Sequence, residues 1–439
     1  MYVASIVACG QQQRASSSLT SLLGPAFGVR DYRRWWVATL ATFIGLQMID
    51  VAIGWQIYAE HHKTLYLGLV GLLEFAPMFI LALPAGHLAD SVERRLLFAA
   101  SLVLAAAIGA GLCLLSSLDV RALGPYLALA LAIGVAMALQ TPSSSAMVPN
   151  LVPISLLPSA LTLGTIASRA ASVMGPALGG LLFAVSPVAA YGTAGGVCLG
   201  GAFCVLTIGR APGAAAAAGS ASSQSLHDVL EGLHFVFASP ILLGAMLLDL
   251  LGVLFGGALA LLPVFASSIL HVGPAGLGLL RASPAVGALV AAAVITRRPL
   301  RGGLGRTLLI VAAAFGASIV VFGFSRAFPL SLVALAVSGF VDLFSMNIRS
   351  LLSAYATPDR LRGRVSAVEM VFISASNELG AFESGVAATL IGTVPAVLAG
   401  GVLTIVLALA WRWTFPALAR IDRPTDIPGS WVADAAPSA

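Results

Sequence analysis

Long apolar runs, broken at regular intervals by short polar segments, dominate the chain. They lie near residues 36–58, 66–88, 96–116, 122–141, 158–184 and 188–208, and again near 240–265, 274–296, 305–325, 329–349, 363–388 and 393–415. A helix of about 20 mainly apolar residues crosses the hydrocarbon core of a bilayer. The pattern therefore predicts twelve membrane-spanning helices. Spanning strands are excluded, because the runs are continuously apolar and do not alternate with period two.

The two sets of six runs are separated by residues 211–225, a low-complexity Ala, Gly and Ser segment with the character of a linker. Leu226–Phe237 follows, with Leu226, Val229, Leu230, Leu233 and Phe237 on one side of a helix, a stretch suited to the membrane surface. The expected organisation is a cytoplasmic leader (1–34), a six-helix bundle (35–210), a linker with an amphipathic stretch (211–238), a second six-helix bundle (239–415) and a cytoplasmic tail (416–439). No basic segment precedes the weak apolar stretch Tyr2–Cys9, so the leader does not read as a cleaved signal peptide.

Composition agrees with this pattern. Hydrophobic residues make up 59% of the 439 residues and charged ones only 9%, against roughly 25% charged in a soluble domain. Lipid is therefore the expected solvent. The net charge of +5 is no sign of a nucleic-acid partner: Lys63 is the only lysine, and the arginines form no single stripe. They do set topology. With the N-terminus inside, the inner segments hold 18 arginines, among them Arg94, Arg95, Arg349, Arg362 and Arg364, while the outer loops hold Lys63, Arg121 and Arg326. That bias places both termini in the cytoplasm. Cys9, Cys113, Cys198 and Cys204 form no metal-ligand pair and read as small hydrophobes without disulfides.

The halves resemble each other. Gly71–Pro77 reads against Gly278–Pro284, and Tyr58 against Phe265, at an offset of 207; Pro153 and Gly175 read against Pro358 and Gly380 at 205. Two parallel six-helix repeats are a known transporter plan, with the substrate site between them near the midplane.

Two motifs carry more specific information. Between the second and third spans the chain reads Gly86-His-Leu-Ala-Asp90-Ser-Val-Glu93-Arg94-Arg95. This resembles the Gly-x-Leu-Ala-Asp-Arg-x-x-Arg-Arg loop signature of the major facilitator superfamily, with Ser91 in place of the usual basic residue. Gly86 permits close helix approach, and Asp90 is placed to bond Arg94 or Arg95 and weight one conformation. The fifth span contains Gly175-Pro176-Ala-Leu-Gly179-Gly180, similar to the fifth-helix motif of facilitator-type exporters, with Ala171 where that motif usually has a further Gly. Small residues there allow tight packing and Pro176 favours a bend. Leu261–Phe265, Val272–Arg281, Ala356–Ala367 and Ser376–Gly385 resemble the branch that includes the enterobactin exporters, and the likeness spans most of residues 30–415. It implies an all-α, twelve-helix secondary transporter in a bacterial inner membrane, most simply a proton-coupled exporter of a siderophore or drug-like molecule. Import of a small metabolite on the same fold is the alternative. The expected state is a monomer in lipid, without a cofactor, driven by the proton gradient.

Ionisable groups in mid-span are costly, roughly 2.5–3.5 kcal/mol each on insertion scales, and mark candidate sites. They are Asp50, Glu74, Arg169, Asp249, Arg281, Asp342, Glu378 and Glu383, with Asn377 as a neutral amide beside Glu378. Pairing that merely fixes helix packing is the alternative role for each. Asp50 and Asp249, in the first helix of each half, are the expected proton carriers. By the family arrangement helix 2 borders helix 11 and helix 5 borders helix 8, so Glu74 is expected near the helix 11 acids and Arg169 near helix 8. Arg169 or Arg281 facing the cavity would suit an anionic or catecholate-like substrate. Tyr32, Trp35 and Trp36 read as an interfacial anchor of the first helix. His61 and His62 lack further ligands for a metal.

Other classes find little support. No Walker-type phosphate loop and no His-Glu-x-x-His occurs, which argues against ATP hydrolysis and a membrane-embedded zinc enzyme. A non-transporting sensor would be expected to carry a soluble output domain, for which the tail is too short.

Overall fold

The computed structural model describes residues 24–209, 226–298 and 302–427, with the backbone alone at 82–91, 226–229 and 424. Twelve long helices follow one another: α1 Arg30–His61, α2 Thr64–Ser91, α3 Arg94–Ser117, α4 Leu123–Leu151, α5 Leu157–Val185, α6 Pro187–Leu206, α7 Pro240–Gly256, α8 Gly273–Arg297, α9 Leu304–Phe324, α10 Phe328–Ala356, α11 Arg362–Ile391 and α12 Thr393–Thr414. A linker helix, Leu226–Ala238, precedes α7. Eleven spans among the described residues are long and apolar enough to cross a membrane, α7 counting together with the turns that follow it. The exception is α11, as long as its neighbours but carrying Glu369, Glu378 and Glu383. The end where α1 begins is called the near end below, and its opposite the far end.

The seventh predicted span is not one helix. α7 stops at Gly256, and the chain continues through a 3-10 turn (Ala258–Leu261), a helical turn (Leu262–Val264) and a π-helical turn (Phe265–Ile269). The paired glycines Gly256 and Gly257 are poor helix formers, and Pro263 lacks an N–H. In lipid the freed backbone groups need partners. Ser384 Oγ of α11 supplies one, donating to the Gly257 carbonyl at 3.0 Å. By contrast α4 runs ten residues beyond the predicted 141, through Pro142 and Pro149. Thr141 and Ser143 hydroxyls bond the Met137 and Leu139 carbonyls at 3.1 and 2.6 Å, on either side of the one that Pro142 leaves free.

Burial is inverted relative to a soluble protein. Val185, Leu390, Phe203 and Ile80 point outward, exposed by 80, 77, 69 and 69%, a surface that only lipid tolerates. Inside, α1–α6 share a core built on Tyr32, Ile49, Ile53, Leu102, Tyr126 and Tyr191. Ile241, Leu308, Ile348 and Trp411 fill the near end of the second half. A further cluster joins the halves at the far end, setting Val51, Tyr58 and Leu67 against Leu262, Phe265 and Phe322. Between the halves, α2 packs on α11 and α5 on α8, as the family arrangement implied.

Three sequence expectations change here. Tyr32, Trp35 and Trp36 are not a lipid anchor. The Tyr32 hydroxyl donates to Ala160 O (2.7 Å), Trp35 Nε1 to Ser144 O (3.1 Å) and Trp36 Nε1 to Leu163 O (2.8 Å), pinning α1 to α4 and α5. Arg349, counted among the inner segments at the end of the tenth span, lies buried within α10, which runs on to Ala356. The linker helix docks on protein: Val236 is fully buried with Leu242, Leu361, Val365 and Val368, while Leu230 and Phe237 stay exposed. Glu231 accepts bonds from Arg360 (3.2 Å) and Arg364, and Gly232 lets the helix settle on the Arg364 backbone, which turns the predicted apolar side partly outward.

Trp411 ties α12 to α7 through Nε1 to Gly244 O at 2.8 Å, in a buried site. Trp411→Phe keeps a ring but leaves that carbonyl without its donor. The expected cost is about 1 kcal/mol, read as a lower unfolding midpoint in detergent with transport retained.

Candidate functional site

A cavity of about 480 Å³ lies between the two halves, within the size range of small-molecule sites. Helical periodicity explains how its polar residues come to face it. Gln47, Asp50 and Gly54 fall on one face of α1, Leu67, Val70, Gly71 and Glu74 on one face of α2, and Asn377, Glu378 and Ala381 on one face of α11. Arg281 enters from α8 and Asp342 from α10, and the unwound Gly256–Ala258 segment borders it as well. Four carboxylates thus line the cavity against one guanidinium.

Asp50 and Arg281 form an ion pair across the halves, Arg281 Nη2 donating to Asp50 Oδ2. Glu74 stands in the field of Asp50, Glu378 and Arg281. Its Oε1 is buried and has no hydrogen-bond partner among the described residues. Gly134 of α4 holds that turn of α2 in place: a Cβ there would meet the Glu74 carbonyl carbon at 2.9 Å. The Glu378 carboxylate lies beside Gly71, Oε2 being 3.4 Å from where a Cβ would stand. Glu74 therefore does neighbour a helix 11 acid, and the repeat-related Glu74 and Arg281 share one cavity.

Other candidates fall elsewhere. Asp249, expected to face the cavity, is instead buried against Arg349, whose Nη1 lies 2.8 Å from Asp249 Oδ2. It lines a separate void of about 30 Å³ that touches Asp342. Asp249 shares a helical face with Val253 and Gly256 but lies one turn nearer the start of α7, so Val253 and Gly256, and not Asp249, reach the main cavity. The Arg169 guanidinium reaches α10, its Nη2 lying 3.8 Å from Met346 Sδ, and Asp342 feels its charge. Glu383 is half-buried and outside the lining, five residues from Glu378 and so on another face.

Of the loop motif, α2 carries the backbone through Gly86 and Asp90, and the Asp90 side chain lies outside the described residues. Arg94 donates to Ala146 O (3.0 Å), and Arg95 to Ile208 O (2.6 Å) while pairing with Glu93 (3.1 Å). Both arginines therefore brace the near end of the first half. In the fifth-helix motif, Gly175 and Gly179 press on Gln47 and Met48 of α1, and Gly180 meets Gly278 of α8. Pro176 lies within α5, its carbonyl also against Gly278.

Sequence reading missed Gln47, Arg349 and Glu369. Gln47 lies one helical turn before Asp50, a spacing that could have revealed it. Arg349 was counted with the inner segments, at the end of the predicted span 329–349, because charge counting has no depth. Glu369 sits within the predicted eleventh span and feels Arg349.

The sequence profile of the transmembrane secretion effector family, a branch of the major facilitators, matches residues 20–432. The chain belongs to the major facilitator superfamily. Similar proteins include the enterobactin exporter EntS of Citrobacter koseri, 26% identical over 400 residues and covering 90% of this chain and 94% of that one. EntS of Escherichia coli O1:K1 is 28% identical over 340 residues, covering 77 and 80%. Among solved structures, the nucleoside transporter NupG superposes with a TM-score of 0.65 at 14% identity, covering 88% of this chain and 99% of NupG, a likeness of fold. This facilitator is a multi-pass membrane transporter of small molecules and not an enzyme.

Proposed function

We propose that this chain exports a small amphiphilic molecule, siderophore-like or drug-like, in exchange for protons, by alternating access across a bacterial inner membrane. One observation carries the reading. A cavity between the halves is sealed at the far end, where Gly180 meets Gly278, Gly68 meets Gly385 and Tyr58 OH lies 3.2 Å from Ser268 Oγ, and its wall holds Glu74 and Glu378 while Arg281 is already engaged by Asp50. The charge of the two glutamates is left to be balanced by a proton or by cargo. A group that exchanges the two couples their movements.

The near end carries Arg33, Arg95, Arg297 and Arg362, and the far-end loops carry Lys63, Arg121 and Arg326. By the positive-inside bias the near end and both termini are cytoplasmic. Export is favoured because the similar curated proteins are named as exporters. One chain builds the whole cavity, in keeping with a monomer, and the proton gradient supplies the energy without a bound cofactor.

The test is cargo-driven proton flux in proteoliposomes with a trapped pH dye, using a catecholate siderophore and amphiphilic drugs as the panel. Glu74→Gln and Glu378→Gln should each lower the flux at least tenfold, and the double variant should abolish it. Native flux in the double variant removes these carboxylates from the coupling. Cargo and protons moving in the same direction would replace exchange by symport and favour import.

A further inference from the structure

We infer that the cargo is an organic cation, an amphiphilic amine or onium compound whose positive centre is held between Glu74 and Glu378. The inference rests on the transporter reading above and gives its substrate class. Arg281 is the one cationic side chain among the cavity's lining residues, and Asp50 already accepts from it. Asp342 has cations behind it, feeling both Arg349 and Arg169. Glu74 and Glu378 are left with each other, Asp50 and the shared Arg281 as their charged surroundings.

The pairing of donors and acceptors points the same way. Glu74 Oε1 is buried at the cavity without a donor among the described residues. An acceptor in that state is costly until a proton, or an N–H or positive charge of the cargo, meets it. The neutral amide of Asn377 uses one of its two Nδ2 hydrogens on Ile373 O at 3.0 Å. An anionic catecholate would meet excess negative charge, with four carboxylates against one guanidinium in the lining. A bare metal ion is not suited either, since no group of three or more His, Cys, Asp or Glu among the described residues is placed to hold one. Apart from Gln47 and Ser338 the remaining wall is apolar, with Leu46, Ile133, Met137, Val253, Phe315 and Ile319. A carboxylate pair in an apolar chamber of this volume fits a cation with a hydrophobic body.

Two probes of the same shape and opposite charge test this: tetraphenylphosphonium and tetraphenylborate, bound to the purified full-length protein in nanodiscs. The cation should bind at least tenfold more tightly than the anion. Glu74→Gln and Glu378→Gln should each weaken the cation at least tenfold, whereas Asp119→Asn, in the exposed far-end loop, should not. Equal or tighter binding of the anion, or of 2,3-dihydroxybenzoate, by the native protein overturns the inference without any variant. So does a Glu74→Gln protein that keeps its unfolding midpoint and its cation affinity. The two readings fail separately. Glutamate-dependent cation binding without proton flux would sink exchange and keep the cation site. Proton flux driven by an anion would keep the transporter and sink the cation site.

Discussion

Arg349→Met lowers the stability of the folded protein by about 3–5 kcal/mol, the usual loss when one partner of a buried ion pair is removed. Arg349 and Asp249 are 5 and 9% exposed, with their charged atoms 2.8 Å apart. Asp249 lies nine residues into α7, about 13 Å from the start of the helix at 1.5 Å per residue, too deep for a lone carboxylate to reach water cheaply. The loss should be asymmetric. Arg349 also balances Asp342 and Glu369, so removing it strands Asp249 and Glu369 and leaves Asp342 with Arg169 alone, whereas Asp249→Asn strands one guanidinium that still has the other two carboxylates. Arg349→Met should therefore cost more than Asp249→Asn. The double variant Asp249→Leu/Arg349→Met should recover only part of the loss, because Asp342 and Glu369 remain. Denaturant unfolding in detergent micelles reads all three. A loss below 1 kcal/mol for Arg349→Met, or full recovery in the double variant, would contradict this account of the cluster.

Gly278→Val should reduce transport at least tenfold while leaving the protein folded. A Cβ on Gly278 would lie 3.0 Å from Gly180 Cα and against the Pro176 carbonyl, and one on Gly180 would lie 2.8 Å from Gly278 Cα. These neighbours are backbone on both sides and cannot swing away as a side chain would. A valine there holds α5 and α8 apart and biases the molecule against the state sealed at the far end. That shift has a direct readout. In a cysteine-free background, a cysteine at Leu259, which borders the cavity, should react with an impermeant maleimide added on the far side in Gly278→Val and be protected in the native sequence. Native transport together with native protection would show that the contact between α5 and α8 does not gate access.

Much of the site was within reach of the sequence as a set of residues, and little of it as an arrangement. Asp50, Glu74, Arg281, Asp342, Asn377 and Glu378 stood out because polar groups in apolar runs are costly, and all six line the cavity. Asp249 and Arg169 stood out for the same reason and line other ground. The cost of burial marks a residue as needing a partner without saying which one. Asp50 was a proposed proton carrier and Arg281 a proposed anion ligand, and each proved to be the other's partner. The aromatic trio of α1 misled for a related reason: indoles satisfied by lipid headgroups and indoles satisfied by carbonyls of α4 and α5 have the same local sequence.

Hydropathy along the chain, by itself, determined the fold class and the order of the helices, because passage into lipid is settled segment by segment by the apolarity of about 20 residues. Tertiary structure alone decided how far each helix is rotated, where α7 breaks, and which charges meet. Those outcomes depend on close approaches between residues distant in the chain, Gly134 on Glu74 and Gly180 on Gly278 among them. Such contacts are energies of pairs of surfaces, and no single segment contains them.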